Sequence, residues 1–115
     1  MPEYIYKVAA ADEFAAARQS GSYPGAPIDR RDGFIHFSTA AQLPETIRLH
    51  FKDRHDLILA AVRTRDLGPA LKWEPSRGGQ LFPHLYGELP MQRVDWVEAI
   101  DVDEEGRCRL PDRIG

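Results

Sequence analysis

Six consecutive apolar residues, Leu57-Ile58-Leu59-Ala60-Ala61-Val62, lie between charged segments. The run is too short for a buried helix and lacks the alternation of a half-exposed strand. It predicts a central strand covered on both faces. A strand of that kind needs neighbours on both edges and packing on both sides, so the rest of the chain must supply a sheet and its cover. The chain has 115 residues with 43% hydrophobic content. That suffices for one core, and residues 1–115 read as a single domain. The lone cysteine, Cys108, excludes an internal disulfide framework and a multi-cysteine zinc module. The opening MPEYIYKVAA lacks the basic-then-apolar pattern of a secretory leader. No stretch approaches the ~18 apolar residues of a membrane span. The expectation is a soluble cytoplasmic domain with no membrane partner.

Further elements follow from local chemistry. Tyr4 to Val8 is aromatic and β-branched and predicts a first strand. A helix capped by Asp12 runs through Arg18 and ends at Gly21. Residues 20–33 hold three Gly, two Pro and two Ser. Their turn chemistry predicts a long loop, either a lid over a site or a mobile insertion. Phe34 to Ser38 predicts a second strand. Thr39-Ala40-Ala41-Gln42 matches a capping box, and Pro44 restarts the helix that carries Leu43, Ile47, His50 and Phe51. Asp66 to Pro69 is a turn, Ala70 to Glu74 a short strand and Glu74 to Gly79 a loop. Leu81 to Gly87 reads as an edge segment because Pro83 fits poorly in a central strand. Val94 to Val102 is the last strand. Strands with two helices in the first half make an α+β domain.

Charge narrows the partners. There are 15 basic against 18 acidic residues, a formal net charge of -3, with lysine only at Lys7, Lys52 and Lys72. The cations are scattered, so the footprint of a bulk nucleic-acid binder is missing. A small nucleotide-like ligand held by a local arginine pocket remains allowed. The acidic residues Asp101, Asp103, Glu104 and Glu105 read as a solvated turn.

Two segments carry most of the candidate chemistry: Gly33-Phe34-Ile35-His36-Phe37-Ser38-Thr39 and Phe82-Pro83-His84-Leu85-Tyr86-Gly87. Each places a histidine mid-strand with a hydroxyl two residues later. Alternation along a strand points both polar groups of each pair the same way. If the segments line one cleft, His36, Ser38, His84 and Tyr86 converge on a ligand, and histidine suits proton transfer near neutrality. The bland alternative is a pair of hydrogen-bonded structural histidines. Thr39 and Gln42 are accounted for as a helix cap. His36, Glu74 and His84 could form a two-histidine, one-carboxylate metal set, but no helical ligand spacing supports it, so no metal is assigned. His50 and His55 read as surface residues, Trp73 and Trp96 as core aromatics. Cys108 lies between Arg107 and Arg109, whose cations could lower a thiol pKa; the other reading is an incidental terminal cysteine.

The Gly33–Ala40 run with Gln42, then Lys72-Trp73-Glu74, then Phe82–Gly87 resembles domain-of-unknown-function family 952. The likeness extends to Ile5-Tyr6-Lys7 and Leu57–Val62. That family implies no established activity. A more distant likeness is to the ADP-ribosyltransferase fold, including the RNA 2′-phosphotransferases. This resemblance implies a small split β-sheet holding NAD as a possible substrate, and no certain cofactor. It implies ligand-binding roles for Lys7, Ser38, Thr39, Gln42 and Tyr86, and catalytic roles for His36, Glu74 and His84. Relatives of that fold often carry a glutamate on the late strand. Here that strand bears His84 and Tyr86, and Glu74 comes from a different segment.

Overall fold

The computed structural model describes residues 2–114. Strand β1 (Tyr4–Ala10) leads directly into helix α1 (Ala11–Ser20). The apolar run forms β4 (Leu57–Arg63), with β1 on one side and β8 (Val94–Ile100) on the other, all antiparallel. Leu59, Ala60, Ala61 and Val62 are completely buried. Both faces of the run are covered, as expected. Ala60 and Val62 join Ile5, Phe14 and Tyr23 in one cluster, and Leu57, Leu59 and Ala61 join Tyr6, Leu43 and Ile47 in the other. Alternation along one strand thus feeds two cores.

A second three-stranded sheet has the order β3 (Ile35–His36), β6 (Leu81–Leu85), β5 (Leu71–Pro75). The edge expectation for residues 81–87 is therefore corrected, because β6 is the central strand. Pro83 is accommodated by a local break in the ladder. Its carbonyl accepts the Phe37 N–H at 3.0 Å, but proline has no N–H to give back. Pairing of β3 with β6 ends at His36, and the chain then turns to the other sheet. Ser38 exchanges two backbone hydrogen bonds with Tyr6 of β1, at 2.8 and 2.9 Å. One short stretch thus pairs with β6 at its start and with β1 at its end, and the two sheets diverge from it.

Among the described residues there are three α-helices rather than two. The segment read as a loop or lid holds strand β2 (Ser22–Tyr23), paired with β7 (Leu89–Pro90), and helix α2 (Pro27–Asp32). Pro27 opens α2 with its preset φ, and the Asp29 carboxylate accepts the Ala26 N–H at 2.8 Å. Asp29 is buried, so this segment is anchored rather than free. Gly25, at φ 102°, makes the approach possible: a Cβ there would lie 2.8 Å from that of Asp29. Gly25→Ala combines backbone strain with displacement of Asp29. We expect it to lower stability by at least about 1 kcal/mol in a chemical melt; an unchanged midpoint would refute the steric argument.

Other local expectations fare variously. Asp12 does not cap α1: Ala10 occupies the cap position and Asp12 sits in the first turn, while Gly21 ends the helix at φ 92° as expected. The Thr39 and Gln42 side chains do exchange hydrogen bonds with each other's backbone N–H, at 3.3 and 3.0 Å, just ahead of α3 (Leu43–His50). Asp103 accepts the N–H groups of Glu105 and Arg107, closing the acidic turn. Trp73 and Trp96 are half-buried against the two cores. Among the described residues, no helix is long and apolar enough to cross a membrane.

Candidate functional site

The divergence of the sheets opens a cavity of about 580 Å³. Its walls come from β1 (Tyr6, Lys7, Val8), the β3 stretch (His36, Phe37, Ser38), β6 (Phe82, His84) and α3 (Thr46, His50), with Asp29 of α2 and Arg77 of the β5–β6 turn. Of the residues singled out from sequence, Lys7, His36, Ser38 and His84 line it. Glu74 and Tyr86 stand behind His84, whereas Thr39 and Gln42 lie outside the lining. Gln42 instead ties α3 to the β6 strand through a hydrogen bond from its amide to the Leu81 carbonyl at 2.9 Å.

The two histidines meet as alternation predicts. In the register of the sheet His36 is paired with His84, and their ring centroids are 5.5 Å apart. Phe34 stacks on His84 at 4.1 Å, which fixes the plane of that ring. His84 Nδ1 donates to Glu74 Oε1 at 2.8 Å, since a carboxylate can only accept. The Tyr86 hydroxyl donates to the same oxygen at 2.8 Å. The hydrogen bond from His84, then that from Tyr86, lowers the Glu74 pKa; the same contact raises that of Tyr86. This arrangement leaves His84 Nε2 as a buried nitrogen with no partner among the described residues, on a ring that lines the cavity. Buried polar atoms without partners are uncommon.

The organising residue was not anticipated. Asp29 is 1% exposed, and four donors meet its two oxygens: Lys7 Nζ at 2.8 Å, His36 Nδ1 at 2.6 Å, the His36 N–H at 3.2 Å and the Ala26 N–H at 2.8 Å. Burial alone would raise its carboxyl. The His36 hydrogen bond and the Lys7 ammonium outweigh that effect and hold the pKa down to about 2. For Lys7 the balance is reversed, and burial lowers its pKa despite the attraction of Asp29. The whole pair has left water. His36 Nε2 also lies 3.1 Å from Asp32 Oδ2, so both ring nitrogens face acceptors. The sequence did carry a signal for Asp29: proline followed two residues later by aspartate is a helix-start pattern, masked here by the surrounding glycines.

Thr46 and Arg77 were also missed. Arg77 Nη2 donates to Thr46 Oγ1 at 3.3 Å, and the Ser38 and Thr46 hydroxyls are 3.0 Å apart. His50 is exposed at the rim, where partial burial and then the neighbouring Arg77 and His36 push its imidazole down. Arg54 is held by Asp56 at 3.0 Å. His36, Glu74 and His84 do not form a metal set. Among the described residues no group of three or more His, Cys, Asp or Glu is placed to hold a metal ion. His55 lies at the surface with Asp53 and Asp101. Cys108 is half-buried, and burial pushes its thiol up, contrary to the lowering its arginine neighbours suggested.

Comparison with known proteins gives a family and a fold without an activity. No curated protein matches the chain. The crystal structure of protein CC0527 from Caulobacter crescentus is 40% identical, covers 96% of this chain and 97% of its own, and superposes with a TM-score of 0.91. A double mutant of CC0527 gives 0.90. Its solution NMR structure is 42% identical over 90% of this chain and 89% of its own, with a TM-score of 0.80. These likenesses support a small mixed α/β domain with three helices and several antiparallel sheets. The model for proteins of unknown function DUF952 matches residues 8–97, most of the chain and nearly all of the cavity's walls. The chain belongs to the DUF952 family.

Proposed function

We propose that the cavity binds NAD or a related nucleotide and that His84 acts there as the acid/base group. The observation that carries this reading is the unpartnered, buried Nε2 of His84 on the wall of a cavity that also presents Lys7, His36, Ser38 and Arg77. Glu74 is a positioning residue: by accepting from Nδ1 it fixes the tautomer whose Nε2 lone pair is free. In an ADP-ribosyl transfer from NAD of the kind the distant resemblance implies, the acceptor hydroxyl oxygen would bond to the ribose anomeric carbon as the bond to nicotinamide breaks. Nicotinamide would leave with the electron pair, and Nε2 would take the hydroxyl proton. Tyr86 braces Glu74 from outside the cavity.

A non-catalytic binding module is the second reading, and one observation favours it. Asp29 on the cavity wall is already occupied by Lys7 and His36, and Glu74 behind the wall by His84 and Tyr86. Neither is free to stabilise a cationic sugar.

Calorimetric titration with NAD, ADP-ribose and 2′-phosphorylated nucleotides tests the proposal, and absence of heat at millimolar ligand overturns it. Product formation followed by mass spectrometry separates an enzyme from a binder. In an active protein Glu74→Gln should lower kcat roughly tenfold or more and shift the pH profile, because the amide can donate to Nδ1 and reverse the tautomer. An unaltered profile would remove Glu74 from the mechanism.

A further inference from the structure

We infer that the end of the cavity beside the β5–β6 turn is a phosphoryl-group subsite built by Ser38, Thr46 and Arg77. The inference rests on the nucleotide reading above and states where the phosphate of such a ligand sits. It starts from a count of hydrogens. Arginine cannot accept, so Thr46 Oγ1 is the acceptor of its contact with Arg77 Nη2. The Ser38 and Thr46 hydroxyls share one hydrogen bond between them. That bond uses one of the two hydroxyl hydrogens, and the other has no acceptor among the described residues. Ser38 is buried and Thr46 half-buried, and both line the cavity, which is where an acceptor can reach that hydrogen.

The guanidinium supplies the charge. Arg77 lies over the Phe82 ring at 4.8 Å, which holds the fork in one plane. Its one carboxylate neighbour is Glu45, at a long 3.9 Å from Nε. Nη1 has no partner among the described residues, so most of its donor capacity is unspent. Lys7 is committed to Asp29 and Arg54 to Asp56, which leaves Arg77 as the least engaged arginine or lysine on the cavity wall.

The groups come from three separate elements: the β3 stretch, helix α3 and the β5–β6 turn. One free hydroxyl hydrogen beside the unspent N–H groups of a guanidinium suits the oxygens of a phosphoryl group, which arginine can grip with two parallel bonds. The bond from Arg77 to Thr46 ties the charge to the hydroxyl pair, so guanidinium and hydroxyl are set before a ligand arrives.

Titration of the parent protein and two variants with ADP-ribose and with adenosine tests this. Arg77→Met removes the charge, and Thr46→Val removes the hydroxyl while keeping its shape. The parent should bind ADP-ribose about tenfold or more tighter than adenosine. Arg77→Met should abolish most of that difference while leaving adenosine binding within about twofold, and Thr46→Val should weaken ADP-ribose in the same direction. Thermal melts of each variant identify any loss of fold. Should Arg77→Met misfold, Thr46→Val alone decides the matter. Equal binding of adenosine and ADP-ribose by the parent, or ADP-ribose binding untouched by both variants, overturns the subsite and leaves the nucleotide reading standing. Binding of neither compound overturns both.

Discussion

Asp29→Ala is expected to cost the fold about 3–5 kcal/mol, a large part of what a domain of this size has. The loss has named sources. Lys7 is 6% exposed, and its ammonium would be left in the interior without a counter-charge. The Ala26 N–H, which helps start α2, and His36 Nδ1 would lose their acceptor. Lys7 can escape part of the penalty by losing its proton, which burial already favours. Urea unfolding of the two chains measures the effect, and a loss under about 1 kcal/mol would show that the pair does not organise the fold. Lys7→Met in the Asp29→Ala background should recover part of the stability, because a buried charge without its partner is worse than no charge at all. A double variant as unstable as the sum of the singles would place the cost in the α2 cap instead.

Acid acts on the same carboxylate. Asp29 titrates at about 2 in the fold against an ordinary 3.8, so the unfolded chain takes up its proton first as the pH falls. The contribution is therefore fully present above about pH 4 and is lost as the pH falls through the folded value near 2. Linkage sets it at about 2 kcal/mol. Asp56, Asp103 and Glu74 are also lowered, by surface contacts, and add a shallow slope of the same sign. Comparing the acid limbs of the parent and Asp29→Asn isolates the buried group, because asparagine does not titrate. Parallel limbs would refute the assignment.

What could be read from the chain was whatever depends on neighbours in sequence. The six apolar residues of β4 identify a doubly covered strand because both its faces are apolar. The two His-x-hydroxyl segments were legible because alternation is a local rule, and it brought His36 and His84 together in the register of the sheet. What depends on distant partners was hidden. Asp29 looks like one more polar residue in a Gly- and Pro-rich stretch until Lys7 and His36 arrive from two other strands. Thr46 and Arg77 acquire meaning only when α3 and the β5–β6 turn close on Ser38. Pro83 misled for a related reason. Proline is kept from central strands by the ladder bond it cannot make, and here the β3–β6 ladder stops short of Pro83 while pairing with β5 runs through it.

That stop has a consequence for how the cavity exists at all. A hollow in a packed interior forfeits contacts on every wall and is usually costly to stability. This concavity is produced another way, by an interrupted seam: Phe37 donates to Pro83 and receives nothing back, and the next residue leaves for β1. The two sheets then splay beside the cavity, while Ile5, Ala60 and Val62 of one and Ile35 and Leu85 of the other stay packed in one shared cluster. A molecule lodged between the sheets would touch Lys7 on one and His84 on the other.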